Sequence, residues 1–245
     1  MLRSAFLLLL TLSLPANGLD DLKGALGRLA APGPLRGTYH LSIWAKYGMG
    51  KDVEETTGSA SAALEVDAAG LVIRWDKALL QKAAEEAYQV KDKKAKATDS
   101  PSLGISAADG LAMANSLDYG PALRRLLAFG QLKQEGPALH DGKAARLLEL
   151  QITPPRSEED RKKTKELIDT AKLWLGADGL PVAAHFVHII KAKVLMFTME
   201  RSREEEFLFA LVGNRLVATR RELRETNHIM GTDSQSRTVA TFTVR

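Results

Sequence analysis

The sequence of 245 residues contains no cysteine. This absence excludes disulfide bonds, thiol catalysis, cysteine-type zinc sites and iron–sulfur clusters. It also excludes a lipid anchor attached through an N-terminal cysteine. Export from the cytoplasm remains possible, because a chain of this length can bury a large core without disulfide bonds.

The common catalytic motifs are missing as well. No Gly-x-Ser-x-Gly nucleophile elbow occurs, and the glycines of "GMGKDVE" do not continue into a phosphate-binding loop. His185 and His188 are three residues apart, so on a strand they point to opposite faces and cannot share a metal ion. We therefore expect no catalytic residue, no metal and no cofactor. A hydrolase with two carboxylates that converge only in the folded chain stays open as an alternative.

Charge of one sign and long apolar segments are also scarce. The formal net charge is +4, and basic and acidic residues alternate in stretches such as 156–166, "RSEEDRKKTKE". Such interleaving is typical of a solvated surface rather than a nucleic-acid-binding one. After residue 18 no apolar run approaches the 20 or so residues of a membrane-spanning helix. We expect no nucleic-acid partner and no transmembrane segment in the mature chain.

The N-terminus has the layout of a secretory signal peptide. A basic residue at position 3 precedes the apolar run "AFLLLLTLSL" at 5–14, and the small residues Ala16 and Gly18 suit positions −3 and −1 of a cut before Leu19. The alternative, a membrane anchor, is disfavoured by the shortness of the run. We expect residues 1–18 to be removed and residues 19–245 to form a single soluble domain in the periplasm that is not lipid-anchored.

Strand patterns occupy both ends of the mature chain. "TYHLSIWAKYG" alternates apolar and polar residues, "MGKDVEETTG" is expected to be a loop or a long turn, and "SASAALEVD" and "GLVIRWD" are two further strands. Turn signals at "HDGK", Asp178-Gly179 and Gly213-Asn214 indicate hairpins in the second half. The sequence predicts three strands before residue 77 and about seven after residue 130.

Helical patterns lie between and before these strands. "LDDLKGALGRLA" has leucines at helical spacing. A helical block is predicted at about 77–129, where Asp76 suits an N-cap and Ser106 with Asp109 has the spacing of a capping box. Gly120-Pro121 is expected to divide the second part of this block into two helices. The charged segment "PRSEEDRKKTKE" is a linker in which a helix is possible.

One stretch departs from simple alternation. In residues 173–199 apolar side chains fall on both faces of a strand, although an antiparallel strand normally has one polar face. The same residues also fit a helical stripe, but the preceding Asp-Gly turn and the density of β-branched residues favour a strand. The predicted fold is α+β: a curved antiparallel sheet of about 10 strands, an incomplete barrel, with helices packed on or in its concave side.

The order of elements resembles the periplasmic outer-membrane lipoprotein-carrier (LolA/LolB-like) family. Four stretches carry the resemblance: "GTYHLSIWAKYGMGKDVEETTGSASAALEVDAAGLVIRW", "PALRRLLAFGQLKQEG", "GKAARLLELQITPP" and "AKLWLGADGLPVAAHF". It is a likeness of pattern and order over most of residues 35–245. It implies an unclosed antiparallel barrel whose mouth is covered by helices.

The resemblance and the two-faced strand together lead to a hypothesis of function. We expect a soluble periplasmic protein that binds or carries a lipid-like or acylated hydrophobic ligand in an apolar cavity. The candidates for lining that cavity are the aromatic and apolar residues of predicted strands: Trp44, Trp75, Trp174, Phe186, Ile190, Phe197, Phe207 and Phe209. The alternative is a non-catalytic structural or interaction protein of the cell envelope, whose sheet is filled by its own side chains and which binds an envelope protein partner.

Overall fold

The computed structural model describes residues 17–30, 33–49, 52–91, 99–194, 197–229 and 231–245. The predicted signal peptide therefore lies outside the described residues, apart from Asn17 and Gly18. Among the helices that are described, none combines the length and the apolar character that crossing a bilayer requires.

Ten strands form one antiparallel sheet. Their bounds are β1 (Leu35–Met49), β2 (Asp52–Asp67), β3 (Gly70–Trp75), β4 (Gly130–His140), β5 (Lys143–Ile152), β6 (Thr164–Leu175), β7 (Pro181–Val194), β8 (Phe197–Val212), β9 (Arg215–Ile229) and β10 (Thr232–Val244). The order across the sheet is β3-β2-β1-β10-β9-β8-β7-β6-β5-β4. β3 and β4 are the two edges and, within the described residues, do not pair with each other, so the barrel is incomplete as predicted.

Six helices accompany the sheet in the described part of the chain. They are α1 (Gly18–Gly27), α2 (Lys77–Lys91), α3 (Pro101–Ser106), α4 (Gly110–Leu117), α5 (Gly120–Leu127) and α6 (Glu158–Lys163). The predicted order of one helix, three strands, a helical block and seven strands is confirmed. The helical alternative is wrong for residues 183–194 and for Phe197, because these residues belong to β7 and β8, which pair with each other.

Local signals explain most element boundaries. The Asp76 carboxylate accepts hydrogen bonds from the N–H groups of Ala78 and Leu79 at the start of α2. α5 begins at Gly120-Pro121, because proline has no N–H to lose in a first helical turn. Two hairpin turns place residues in the left-handed region, namely Asp141 at φ 49° and Asn214 at φ 63°, as tight antiparallel connections require.

Two expectations about local structure are wrong. The described residues of "MGKDVEETTG" are not a loop: β1 continues to Met49 and β2 starts at Asp52, and these two residues pair. Residues 50 and 51 lie outside the described part of the chain. Ser106 does not belong to a capping box, since it is the last residue of α3. Asp109 alone caps α4, by accepting the N–H of Leu111 at 2.9 Å.

The core lies between the concave face of the sheet and three helices. One cluster joins α1 and α5 to strands β5–β9 and includes Leu22, Leu26, Leu123 and Leu127, each fully buried. A second cluster joins α4 to β1, β2, β9 and β10 around Tyr39. Because a helical residue adds 1.5 Å and a strand residue about 3.3 Å, these helices of 8–10 residues are much shorter than strands of 14–16 residues. Among the described residues, part of the concave face is left without a helix over it.

The two ends of the sheet can therefore be distinguished. One end of the sheet, which we call the turn end, carries the connections at 141–142, 176–180 and 213–214. At this end the N–H of Tyr119, just before α5, donates to the carbonyl of Leu216. The opposite end of the sheet, which we call the hairpin end, carries the β1–β2, β7–β8 and β9–β10 connections. α1, α4 and α5 cover the turn end, and α6 packs beside β6 and β7 near the hairpin end.

Candidate functional site

A groove of about 600 Å³ opens on the concave face where α5 ends. Its floor is formed by β6, β7, β8 and β9, and one wall by α5 with the residue before it. Six apolar or aromatic residues line it: Tyr119, Leu126, Phe186, Ile190, Met199 and Ile229. Six polar residues complete the lining: Asp169, His188, Arg201, Arg203, Glu205 and Asn227. We call this the concave groove.

The register of the strands explains the apolar part. Alternate residues of β7 face the helices, so Ala184 is buried in the core while Phe186 and Ile190 continue the same face into the groove. Met199 of β8 lies opposite Ile229 of β9 near the hairpin end. The apolar residues on this face of β7 are thus covered partly by helices and partly line the groove.

The aromatic cluster at the turn-end wall of the groove is tightly packed. The Tyr119 ring lies 4.7 Å from Phe207 and 5.2 Å from Phe209, measured between ring centroids. Phe186 meets Phe207 edge-on at 5.8 Å. Burial raises the pKa of the Tyr119 phenol, so this side chain remains neutral. The cluster closes the groove against the core.

A row of ionisable side chains crosses the sheet at the floor of the groove. Asp169, His188, Arg203 and Glu225 are directly opposite one another on β6, β7, β8 and β9. The next residue of this face on β8 toward the turn end is Glu205. We call these five residues the charged band. It separates the aromatic cluster from the apolar residues at the hairpin end.

Ion pairs hold the charged band in place. Glu205 accepts Arg203 at 2.6 Å and Arg221 at 2.9 Å. Glu225 accepts Arg201 at 2.7 Å and lies 3.6 Å from Arg203. Such shared pairs are satisfied without other ligands, which is what charges in a partly desolvated site require.

The remaining acid of the band has a different environment. His188 Nδ1 lies 3.3 Å from a carboxylate oxygen of Asp169. Burial raises the pKa of Asp169, and the contact with His188 lowers it by a smaller amount. Within the described residues, no three histidine, aspartate or glutamate side chains are placed to hold a metal ion together.

The structure brings together only some of the residues predicted from the sequence. Phe186 and Ile190 line the concave groove. Phe207 and Phe209 are buried at its turn-end wall, 4 % and 8 % exposed. Phe197 points to the same face of β8 as Met199 but lies at the hairpin end, where it is 44 % exposed.

The three tryptophans lie away from this groove. Trp75 packs beside the second core cluster. The indole N–H of Trp44 donates to Glu55 at 2.6 Å, on the opposite face of β1 from Tyr39 and Leu41. Trp174 also faces the opposite side of the sheet, with its ring 5.5 Å from that of His140.

Other lining residues were not expected from the sequence. Tyr119, Met199, Ile229 and the charged band come together only through the register of β6–β9. His185 and His188 were predicted to point to opposite faces of a strand, and this is confirmed. His188 lines the concave groove, whereas His185 lies in a smaller pocket with Trp174 on the other side of the sheet.

Comparison with known proteins adds little. No protein-family model matches the sequence, and no curated protein matches it. Among solved structures, the chain is similar to the crystal structure of a DUF1329 family protein from Desulfovibrio piger, with 11 % identity and a TM-score of 0.33 over 92 % of this chain and 90 % of that one. At this TM-score the likeness carries neither fold nor function to the chain.

Proposed function

We propose that this chain is an exported, periplasmic protein that binds a lipid-like or acylated ligand in the concave groove. The single observation that carries the proposal is the groove itself: about 600 Å³ of partly apolar space on the concave face, beside α5 and over β6–β9. Small-molecule sites commonly have volumes of roughly 300–1,000 Å³. The resemblance of the sequence to lipoprotein carriers supports binding of a ligand of this kind.

The two kinds of lining suit an amphiphile. The apolar part of the ligand would contact Ile190, Met199 and Ile229, and each buried methylene contributes about 0.8 kcal/mol. The polar part would lie over the charged band, beside Arg203 and Asn227. Binding of this kind needs no catalytic residue, and we propose a binding protein rather than an enzyme.

Native mass spectrometry tests this proposal. The chain is exported to a bacterial periplasm and purified without detergent, and anything bound is extracted with solvent. A discrete added mass that extracts as a lipid is expected. In a second measurement, a hydrophobic fluorescent probe should brighten on binding and be displaced by fatty acid. A bare chain mass, with no uptake of added phospholipid or fatty acid and no probe response, would contradict the proposal.

One observation favours a second candidate function. Much of the concave face is filled by the chain's own leucines from α1, α4 and α5, as expected for a structural or interaction protein of the envelope. Such a protein would use its edge strands β3 and β4 for pairing with a partner. A cross-linked partner, recovered with a chain that binds neither lipid nor probe, would favour this candidate.

A further inference from the structure

The start of α1 is capped by Asn17. Its side-chain oxygen accepts the N–H of Leu19 at 3.1 Å. Its backbone carbonyl accepts the N–H groups of Asp20 at 2.8 Å and Asp21 at 3.1 Å. The first turn of a helix has no intrahelical acceptors for its N–H groups, so these bonds supply what the turn lacks.

Gly18, the next residue, is built into the fold. It is buried, and its N–H donates to Glu135 Oε2 on the edge strand β4 at 3.0 Å. A Cβ atom at this position would lie 2.6 Å from the Arg146 guanidinium, 2.7 Å from Leu148 and 2.8 Å from Glu135. Only glycine fits there without a shift of its neighbours.

Ion pairs surround this junction. The Arg146 guanidinium contacts Glu135 and also reaches Asp21 on α1 at 3.0 Å. Asn17 and Glu135 line the same surface groove along β4. The backbone N of Asn17 is one residue away from the Gly18 N–H that donates to Glu135, a carboxylate that the Arg146 guanidinium also contacts.

A cut before Leu19 would remove both Asn17 and Gly18. The new ammonium group would then stand at the first turn of α1, where the helix dipole disfavours a positive charge. The cap would be lost, and Glu135 would lose a hydrogen-bond donor. A cut two residues earlier, before Asn17, keeps the cap, Gly18 and the contact with Glu135. It leaves the small residue Ala16 at position −1 and Leu14 at position −3.

We propose that the signal peptide is cleaved between Ala16 and Asn17, so that the mature chain begins at Asn17 and its α-ammonium group pairs with Glu135. The proposal rests on the export proposed above. Cleavage then creates a positive charge where the fold has an acid to receive it, and α1 is held over the first core cluster.

Intact mass and N-terminal sequencing of the exported full-length chain test the site of cleavage. A mature chain that starts at Asn17 is expected. A start at Leu19, or at any other residue after cleavage, would overturn this inference and leave export standing. A chain that keeps Met1 in the periplasmic fraction would overturn this inference and leave export standing, and a chain that never reaches that fraction would overturn both.

Stability of defined chains provides a second readout. Residues 17–245 and 19–245 are produced with native N-termini, and the shorter chain should melt about 2–4 °C lower because its first helix has lost its cap. Glu135→Gln should lower the melting temperature of the longer chain more than that of the shorter one. The control, Glu149→Gln, breaks a pair with Lys172 elsewhere on the sheet and should affect both chains equally. Equal melting temperatures of the two unmutated chains would overturn the proposed role of Asn17.

Discussion

His188 and Asp169 face each other across β6 and β7, with 3.3 Å between the imidazole Nδ1 and a carboxylate oxygen. The contact lies in the floor of the concave groove. Burial raises the pKa of Asp169 above its ordinary value of 3.8, and His188 offsets only part of that effect. A charged Asp169 is therefore costly to the folded state.

Asp169→Asn should raise the melting temperature at pH 7. An acid whose pKa is raised on folding loses stability as the pH rises from its unfolded pKa through its folded one. The uncharged amide avoids that loss, so its advantage should shrink toward pH 3, where the wild-type carboxyl is protonated in both states. Thermal unfolding between pH 3 and pH 8 measures this.

A matched variant separates burial from the simple loss of an acid–histidine contact. Asp233 lies 2.5 Å from His228, but on the surface, where the Asp233 side chain is 73 % exposed. Asp233→Asn should leave the melting temperature unchanged across the same pH range. If Asp169→Asn is less stable than the wild type at pH 7, the cost assigned to the buried charge is wrong.

Glu222→Gln should destabilise the protein at neutral pH. The Glu222 side chain is 2 % exposed and pairs with Arg237, Arg220 and Arg224. The hydrogen bond from Arg237, with help from Arg220 and Arg224, lowers the pKa of Glu222 to about 2. Removing the charge should cost about 2 kcal/mol of unfolding free energy.

The pH dependence of this cost has a definite sign. An acid with a lowered pKa contributes stability above its unfolded pKa, and that contribution disappears as the pH falls from about 4.5 to about 2. Denaturant unfolding at pH 7 and at low pH should show the difference and its loss. Glu206→Gln, which breaks an exposed pair with Arg224, should cost under about 1 kcal/mol. Equal effects of the two variants at pH 7 would contradict the assignment.

Ile229→Asp should weaken binding of a hydrophobic probe at least tenfold without unfolding the chain. Ile229 lines the concave groove and is 44 % exposed, so a carboxylate there meets water in the free protein and apolar ligand in the complex. Leu211→Asp is the control, because Leu211 is 51 % exposed and is not among the groove residues. Probe titration of both variants would disprove the site if Ile229→Asp bound as tightly as Leu211→Asp.

Gly104→Ala should destabilise the fold by about 1–3 kcal/mol. α3 lies so close to β2 that a Cβ on Gly104 would be 2.4 Å from the backbone of Ser59, and one on Gly58 would be 2.5 Å from the carbonyl oxygen of Ser100. Backbone atoms cannot move aside as a flexible side chain can. Gly110→Ala, at the first residue of α4 with open space around it, should be neutral or stabilising. Chemical denaturation compares the two, and similar midpoints would show that α3 can shift.

The hairpins were predictable because their turns require particular residues. Asp141-Gly142 and Gly213-Asn214 adopt positive φ, and these are the residue types that do so at low cost. The boundaries of α2, α4 and α5 follow equally local rules. None of these features depends on contacts between distant parts of the chain.

The charged band depends on such contacts and could not be predicted. Counting back from the Gly213-Asn214 turn would place Arg203 opposite Arg224. A bulge shifts the register between Leu208 and Phe209, so that Arg203 lies opposite Glu225 instead. One extra residue therefore turns an expected repulsion into an ion pair.

The sequence also could not show which face of the sheet the helices cover. A period of two shows that Trp174 and Leu173 point to opposite sides of β6, but not which side the helices cover. The covered face depends on how α1 and α5 pack on the sheet. Their packing explains why Phe186 lines the groove and Trp174 does not.

The short reach of the helices divides the molecule into two zones of amide protection. At the turn end, opening a strand must expose the leucines of α1 and α5, so hydrogen exchange there should approach the rate of global unfolding. At the hairpin end, β7, β8 and β9 are held mainly by their own ladder and can open locally with little loss of core. A ligand bound in the groove would contact both zones and slow amide hydrogen exchange at the hairpin end. Hydrogen exchange would therefore report binding without a label on the ligand.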